Sequence, residues 1–143
     1  MGLLSFFTAK RPGSVGVIGG RLQACDLSRS NCVGSQHAPE GRNPGPHYVP
    51  PFAFEGDAGD AMTRVIAVLM QQKNCRIAVN RPDYIHAEFT TAVMGFVDDV
   101  EFLLAPPEQV IHIRSASRLG LSDFGVNRSR VETLREAFDE ADD

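Results

Sequence analysis

The chain lacks any excess of positive charge: 14 lysines and arginines stand against 18 aspartates and glutamates, a formal net charge of -4. Binders of nucleic acid or of anionic membranes usually show a basic bias, so neither partner is expected. Long apolar runs are missing too. Gly2-Leu3-Leu4-Ser5-Phe6-Phe7 is too short for a signal-peptide core or a membrane span. It is no myristoylation site either, because Phe6 stands where that motif wants Ser or Thr. The default reading is a soluble, cytoplasmic protein whose Leu3, Leu4, Phe6 and Phe7 pack against the domain or a neighbouring subunit. Cysteine is scarce and odd in number. Cys25 and Cys32 would bridge a short loop in an oxidising compartment and stay reduced in the cytoplasm. With His37 or His47 they match no zinc spacing, so no metal and no cofactor is expected. Cys75 reads as a small buried hydrophobe opening a strand. No internal repeat or low-complexity segment is present. Gly16-x-x-Gly19-Gly20 is no nucleotide fingerprint, because it lacks the flanking strand and helix that give such glycines a phosphate role.

What is present fits one domain. Hydrophobic residues make up 43% and charged residues 22% of 143, ordinary values for a globular fold. Residues 1–10 read as a tail and 11–143 as a single globular domain. Within it, 11–56 form a lead rich in glycine and proline, without sustained periodicity. Residues 57–143 read as helix, four strands, helix. Met62, Val65, Ile66 and Leu69 recur at helical spacing over 57–73, with Asp57 or Asp60 to cap. Strands follow over 75–80, 84–91, 96–104 and 109–117, with short connections that make them an antiparallel meander. Val131, Leu134 and Phe138 mark a closing helix from about Val126. The expectation is an α+β two-layer sandwich: a four-stranded antiparallel meander with two helices on one face and a long irregular N-terminal segment.

The densest polar chemistry lies in the run from Arg114 to Arg128. Setting Leu104 opposite Gln109 across the Pro106-Pro107 turn pairs Glu101 with His112 and Asp99 with Arg114 on an outer, wet face. Asp98 then meets Ser115 on the inner face among Val100, Phe102 and Ile113. Asn127, four residues before Val131, points back toward the same place. Asp98, Ser115, Ser117 and Asn127 thus converge at one end of the sandwich, with Arg118 and Arg128 at the mouth. This is either a satisfied network pinning helix to sheet or the lining of a polar pocket. The helix start near Gly125 suits an anion, although Asp123 stands in capping position. Catalysis finds little support. His86 and His112 read as solvated outer-face residues, and His112 lies on the opposite strand face from Ser115 and Ser117. Asp98 and Asp99 point to opposite faces and cannot form one dyad.

Several motifs together resemble one family. Asn31-Cys32-Val33-x-Ser35-Gln36, His47-Tyr48-x-x-Pro51-Phe52, Asp98-Asp99-Val100-Glu101-Phe102 and the Arg114 to Arg128 run are similar to the domain of unknown function 1499 family, over roughly Arg11 to Phe138. The chain differs in having Asp26 and Ser30 where that family tends to place prolines. The resemblance implies no activity, ligand or partner. Three readings follow. The first is a non-enzymatic binding or accessory domain, its site drawn from Asn31, Ser35, Gln36, Asp98, Arg114, Ser115, Ser117, Arg118, Ser122, Asp123, Asn127 and Arg128. The second is an enzyme on a small anionic substrate with Asp98 as base. The third is a protein-interaction or homo-oligomer module anchored by the apolar N-terminus. The lead is expected to dock on the Arg114 to Asn127 turn and to bring Cys25 near Cys32, because its backbone groups need polar partners.

Overall fold

A computed structural model describes residues 15–37, 45–91, 95–120 and 123–141. Leu3, Leu4, Phe6 and Phe7, with the packing role assigned to them, lie outside these residues. The lead supplies β1 (Val17–Ile18), β2 (Arg21–Leu22), β3 (Cys32–Gly34) and β4 (Phe52–Ala53). Then come α1 (Ala58–Met70), β5 (Cys75–Asn80), β6 (Tyr84–Thr90), β7 (Val97–Ala105), β8 (Val110–Ser117) and α2 (Val126–Glu140).

The expected four-stranded meander is the antiparallel run β5-β6-β7-β8, but the sheet does not stop there. It has six strands in the order β3-β8-β7-β6-β5, with β4 also pairing β8. Both additions come from the lead, which is therefore not an irregular appendage. Val33 lies opposite Ser115 and Phe52 opposite Ile111, so two short segments share the free edge of β8. Prolines between them rule out one continuous strand, and two short pieces complete the edge in its place. β1 and β2 form a separate two-stranded hairpin. Its turn is Gly19-Gly20, with φ of 61° and 75°. Positive φ at both central residues is what a tight hairpin needs and what glycine supplies without strain.

Both helices cover one face. Asp57 caps α1, its side chain accepting from the Asp60 N–H at 2.9 Å. Met62, Val65 and Leu69 of α1 and Val131, Leu134 and Phe138 of α2 join Val33, Val49, Phe52, Ile85, Val100, Phe102, Ile111 and Ile113 in the main core. Phe52 sits at its centre, edge-on to Phe102 at 5.9 Å and 5.3 Å from Phe138, with the Arg135 guanidinium 5.0 Å above its ring.

The register of the last hairpin corrects the expected one. Pro106–Glu108 closes as a 3-10 turn and Gln109 takes φ 54°, so the first facing pair is Ala105 with Val110. Partners therefore lie two residues beyond the expected ones: Asp98 faces Ser117, Asp99 faces Ala116, Glu101 faces Arg114 and Phe102 faces Ile113. A slip of two keeps every side chain on its expected face, which is why the inner and outer sets survive the error.

The lead's membership of the core is open to a direct check. Phe52→Ala should lower unfolding free energy by about 3–5 kcal/mol, the cost of truncating a buried phenylalanine, measured by urea denaturation. A loss under about 1 kcal/mol would mean that the segment merely lies on the surface.

Candidate functional site

Alternation along β8 sends Arg114, Ala116 and Arg118 to one face and Ser115 and Ser117 to the other, and this divides the sequence-derived site in two. On the inner face, Ser115 Oγ donates to Asn127 Oδ1 at 2.6 Å. Asn127 Nδ2 donates to Ser117 Oγ at 2.9 Å, to Asp123 Oδ2 at 2.7 Å and to the Asn31 carbonyl at 3.2 Å. Asp123 also takes the Gly125 and Asn127 N–H groups at 2.8 and 3.1 Å and so fills the helix start. Asn31 Nδ2 donates to Gly120 O at 2.7 Å. Asp98 joins through Arg130, whose Nη1 lies 2.8 Å from Asp98 Oδ2 and 3.1 Å from Asn127 Oδ1. Arg130 was missed in the sequence because helical spacing alone does not aim it at the sheet end. The inner set is a polar network that pins α2, β3 and β8 together. Asp98, the base of the enzyme reading, is committed to Arg130.

The outer face was expected to be wet, with His86 and His112 solvated and Asp99 paired to Arg114 as an exposed ladder. It is covered instead. His86, Asp99, Glu101 and Arg114 are all at most 4% exposed. The cover is the stretch from the β1–β2 hairpin to β3, held down by Leu22 against Tyr84 and Leu103 and by the Cys25–Cys32 disulfide against Ala116. Charges placed there must be paired, and two clusters pair them. Asp99 accepts from Arg118 Nε at 2.8 Å, Arg118 Nη2 at 2.9 Å and His86 Nε2 at 2.7 Å. Arg118 Nη2 also reaches Glu88 at 2.5 Å, and Glu88 holds Arg76. In the second cluster Glu101 accepts from Tyr84 Oη at 2.5 Å, from the Gly16 N–H at 2.7 Å and from Arg114 Nη1 at 3.3 Å. Burial drives the Asp99 carboxyl up, yet the Arg118 and His86 hydrogen bonds outweigh it and hold it below the ordinary range. Glu88 is held low by the same balance, burial against Arg76 and Arg118.

The remaining candidates scatter. Arg118 is not at the mouth of the inner network but on the outer face. Arg128 is exposed and grips the Tyr48 and Pro46 carbonyls at 2.9 and 2.7 Å. Gln36 Oε1 takes the Leu22 N–H at 2.9 Å and anchors the hairpin. Ser35 Oγ takes the Ile113 N–H at 2.8 Å and pairs with His112 Nδ1 at 2.9 Å, so His112 is half-buried and bonded. Burial pushes its pKa down. Ser122 lies outside the described residues. Burial raises the Cys75 thiol to about 11.

One concavity combines these parts. A cavity of about 360 Å³ opens beside the disulfide, lined by Cys25, Asp26, Arg29, Asn31, Cys32, Asp99, Arg114, Ala116, Ser117 and Arg118. Its size lies at the small end for ligand sites. Arg114 is its anomaly: 5% exposed in its side chain, with one long hydrogen bond to Glu101 and a buried Nε that has no partner among the described residues. Most buried donors in folded proteins are satisfied, so Arg114, whose Nε is itself closed to solvent, is an exception within the charge layer. Near it His86, Glu88 and Asp99 offer ligand atoms within 4.8 Å of one another. The Arg118 guanidinium already sits on both carboxylates, so a metal ion would have to displace it. His86 Nδ1 is also buried without a partner among the described residues.

These features define a small α+β domain in which one sheet face carries the helices and the other a paired, covered charge layer. The chain belongs to the family described as protein of unknown function (DUF1499), whose model matches residues 22–138. No curated protein matches it. No helix among the described residues is long and apolar enough to cross a membrane.

The charge layer makes stability depend on pH in a defined direction. Asp99 and Glu88 have folded pKa values below their ordinary 3.8 and 4.5. Their contribution is present above the unfolded values and is lost as pH falls through the folded ones. Urea midpoints should decline gently below about pH 6.5, where burial keeps His112 from taking up its proton, and fall more steeply below about pH 4.5 as the two carboxylates protonate. In Arg118→Gln, where His86 alone is left to offset burial at Asp99, that acid-side fall should be shallower. An equal slope in both proteins would detach Arg118 from the acid sensitivity.

Proposed function

We propose that this protein is a non-enzymatic binding domain whose site is the cavity beside the Cys25–Cys32 disulfide. The observation that supports it is the buried, under-satisfied Arg114 on the wall of a cavity otherwise built of paired charges. A network meant only for stability would close on itself, as the inner one does. Chemistry is served less well. Among the described residues the cavity brings no nucleophile to a general base, since Asp99 is fixed by Arg118 and His86, and the cysteines are joined. The bridge supports an oxidising compartment in preference to the cytoplasmic default, because cytosolic thiols are kept reduced.

Two measurements test this reading. In amide NMR of the full oxidised chain, a screen of small polar molecules should produce hits that shift Cys25, Asn31, Cys32 and Ala116 together. Hits that map elsewhere, or none at all, would contradict the reading. Reducing the bridge should cost about 2–3 kcal/mol by loop-closure entropy and abolish those hits, since the bridge walls the cavity. Unchanged binding after reduction would separate site from disulfide.

A further inference from the structure

We infer that His37 is a pH-sensitive clasp on the loop that the disulfide closes, shut while its imidazole is neutral and opened when a proton binds it. The sense of one hydrogen bond requires this. The Cys25 N–H donates to His37 Nε2 at 2.6 Å. A backbone amide can only donate, so Nε2 must keep its lone pair and the ring must stay uncharged. A proton on Nε2 sets two donors against each other, and the contact parts. His47, at the other end of the bridge, is built the opposite way. Its Nδ1 faces the Cys32 carbonyl at 3.0 Å and donates to it in either charge state. Of the two histidines at the disulfide, only His37 must let go.

The surroundings disfavour the charged ring without forbidding it. His37 is half-buried, and Gly34 of β3 lets the ring lie close: a Cβ there would stand 3.2 Å from His37 Cδ2. Among the described residues the charges that bear on it are basic: His47, its ring centroid 6.1 Å away, Arg114 of β8 and Arg21 of β2. Arg114 is paired with Glu101, Arg21 is exposed and donates to the Gln36 carbonyl, and the Asp26 carboxylate is held by Ser28 and Arg29. Burial first, then these three basic groups, push the His37 pKa below its ordinary 6.5. The clasp's contribution is therefore present in full above the ordinary value and lost as pH falls from there to the folded one. A hollow of about 340 Å³ beside the ring, walled by Ile18, Arg21 and Leu22 of the hairpin, admits the proton and gives the ring room to leave. Release is local, because the bridge and the Leu22 N–H bond to Gln36 stay in place. It moves Cys25, one wall of the cavity beside the bridge. The inference does not depend on the binding reading, since a protein that binds nothing would open in the same way.

The test is amide exchange of the oxidised full chain, read by NMR as protection relative to the intrinsic rate at about pH 7 and about pH 5. Protection at Cys25 should fall about 3- to 25-fold, the ceiling being set by an ordinary imidazole pKa in the open form. At the lower pH Cys25 should be less protected than Phe102 of the core ladder, the mark of a local opening as distinct from unfolding. The His37 ring resonance should titrate with a midpoint below 6.5, and the Cys25 amide shift should follow it. His37→Gln offers Oε1 as an uncharged acceptor and should abolish the fall, whereas His112→Gln should keep it. Equal Cys25 protection at both pH values, a His37 midpoint at or above 6.5, or a fall that survives in His37→Gln or vanishes in His112→Gln overturns the inference. The readings on the unmodified protein decide it if either variant fails to fold.

Discussion

Asp99 is held between Arg118 and His86 on the sheet face opposite the two helices, and the rest of the structure follows from that placement. A carboxylate at 1% exposure is tolerable only with full charge-assisted pairing. Pairing of that quality needs water excluded, and among the described residues it is the lead that excludes it. So the lead folds back, closes a disulfide over Ala116 and lays its hairpin against Tyr84 and Leu103. The result is a third layer made almost without hydrophobic periodicity. Its anchors are single points: Leu22, Gln36, the Gly16 N–H and the cysteine bridge.

β8 serves two masters through simple alternation. Its odd residues tie α2 to the sheet by way of Asn127, and its even residues floor the cavity. Continuity along one strand means that the helix-pinning network and the cavity share a rigid support. Ser117 lies at the junction, its Oγ taken by Asn127 while the residue borders the cavity. The precision that a binding site demands is therefore available from the backbone itself.

Much of this was legible in the sequence. Helical spacing marked both helices, and strand alternation marked β6 to β8 with the correct residues on each face; in β5 a bulge between Ile77 and Val79 turns Val79 to the other side, against Leu22, Tyr84 and Leu103. The hairpin register missed by two because a 3-10 turn and a left-handed Gln109 are local choices that Pro106-Pro107 does not announce. The lead was harder. Its strands are two or three residues long, below the length at which alternation registers, though Gly19-Gly20 between Val17-Ile18 and Arg21-Leu22 was a readable hairpin signal. The largest misreading was to treat polar residues on alternate positions as solvated. Alternation tells which residues share a face, and it does not tell what covers that face. Tyr84, His86, Glu88 and Glu101 were on the expected side but under a layer that no periodicity revealed, and Arg29 and Asp26 entered the cavity only through the loop the disulfide closes.

Native-state hydrogen exchange of the oxidised protein tests most directly whether the lead is a structural layer. The amides of Leu22, Gly34 and Ser35 bond to Gln36 Oε1, His47 O and Ile113 O. If the layer holds the charged face shut, these amides exchange only with openings as costly as those of the β7–β8 ladder around Phe102. If they exchange freely while Phe102 and Ile113 stay protected, the lead is a loose flap, and the buried charge layer as described here does not exist.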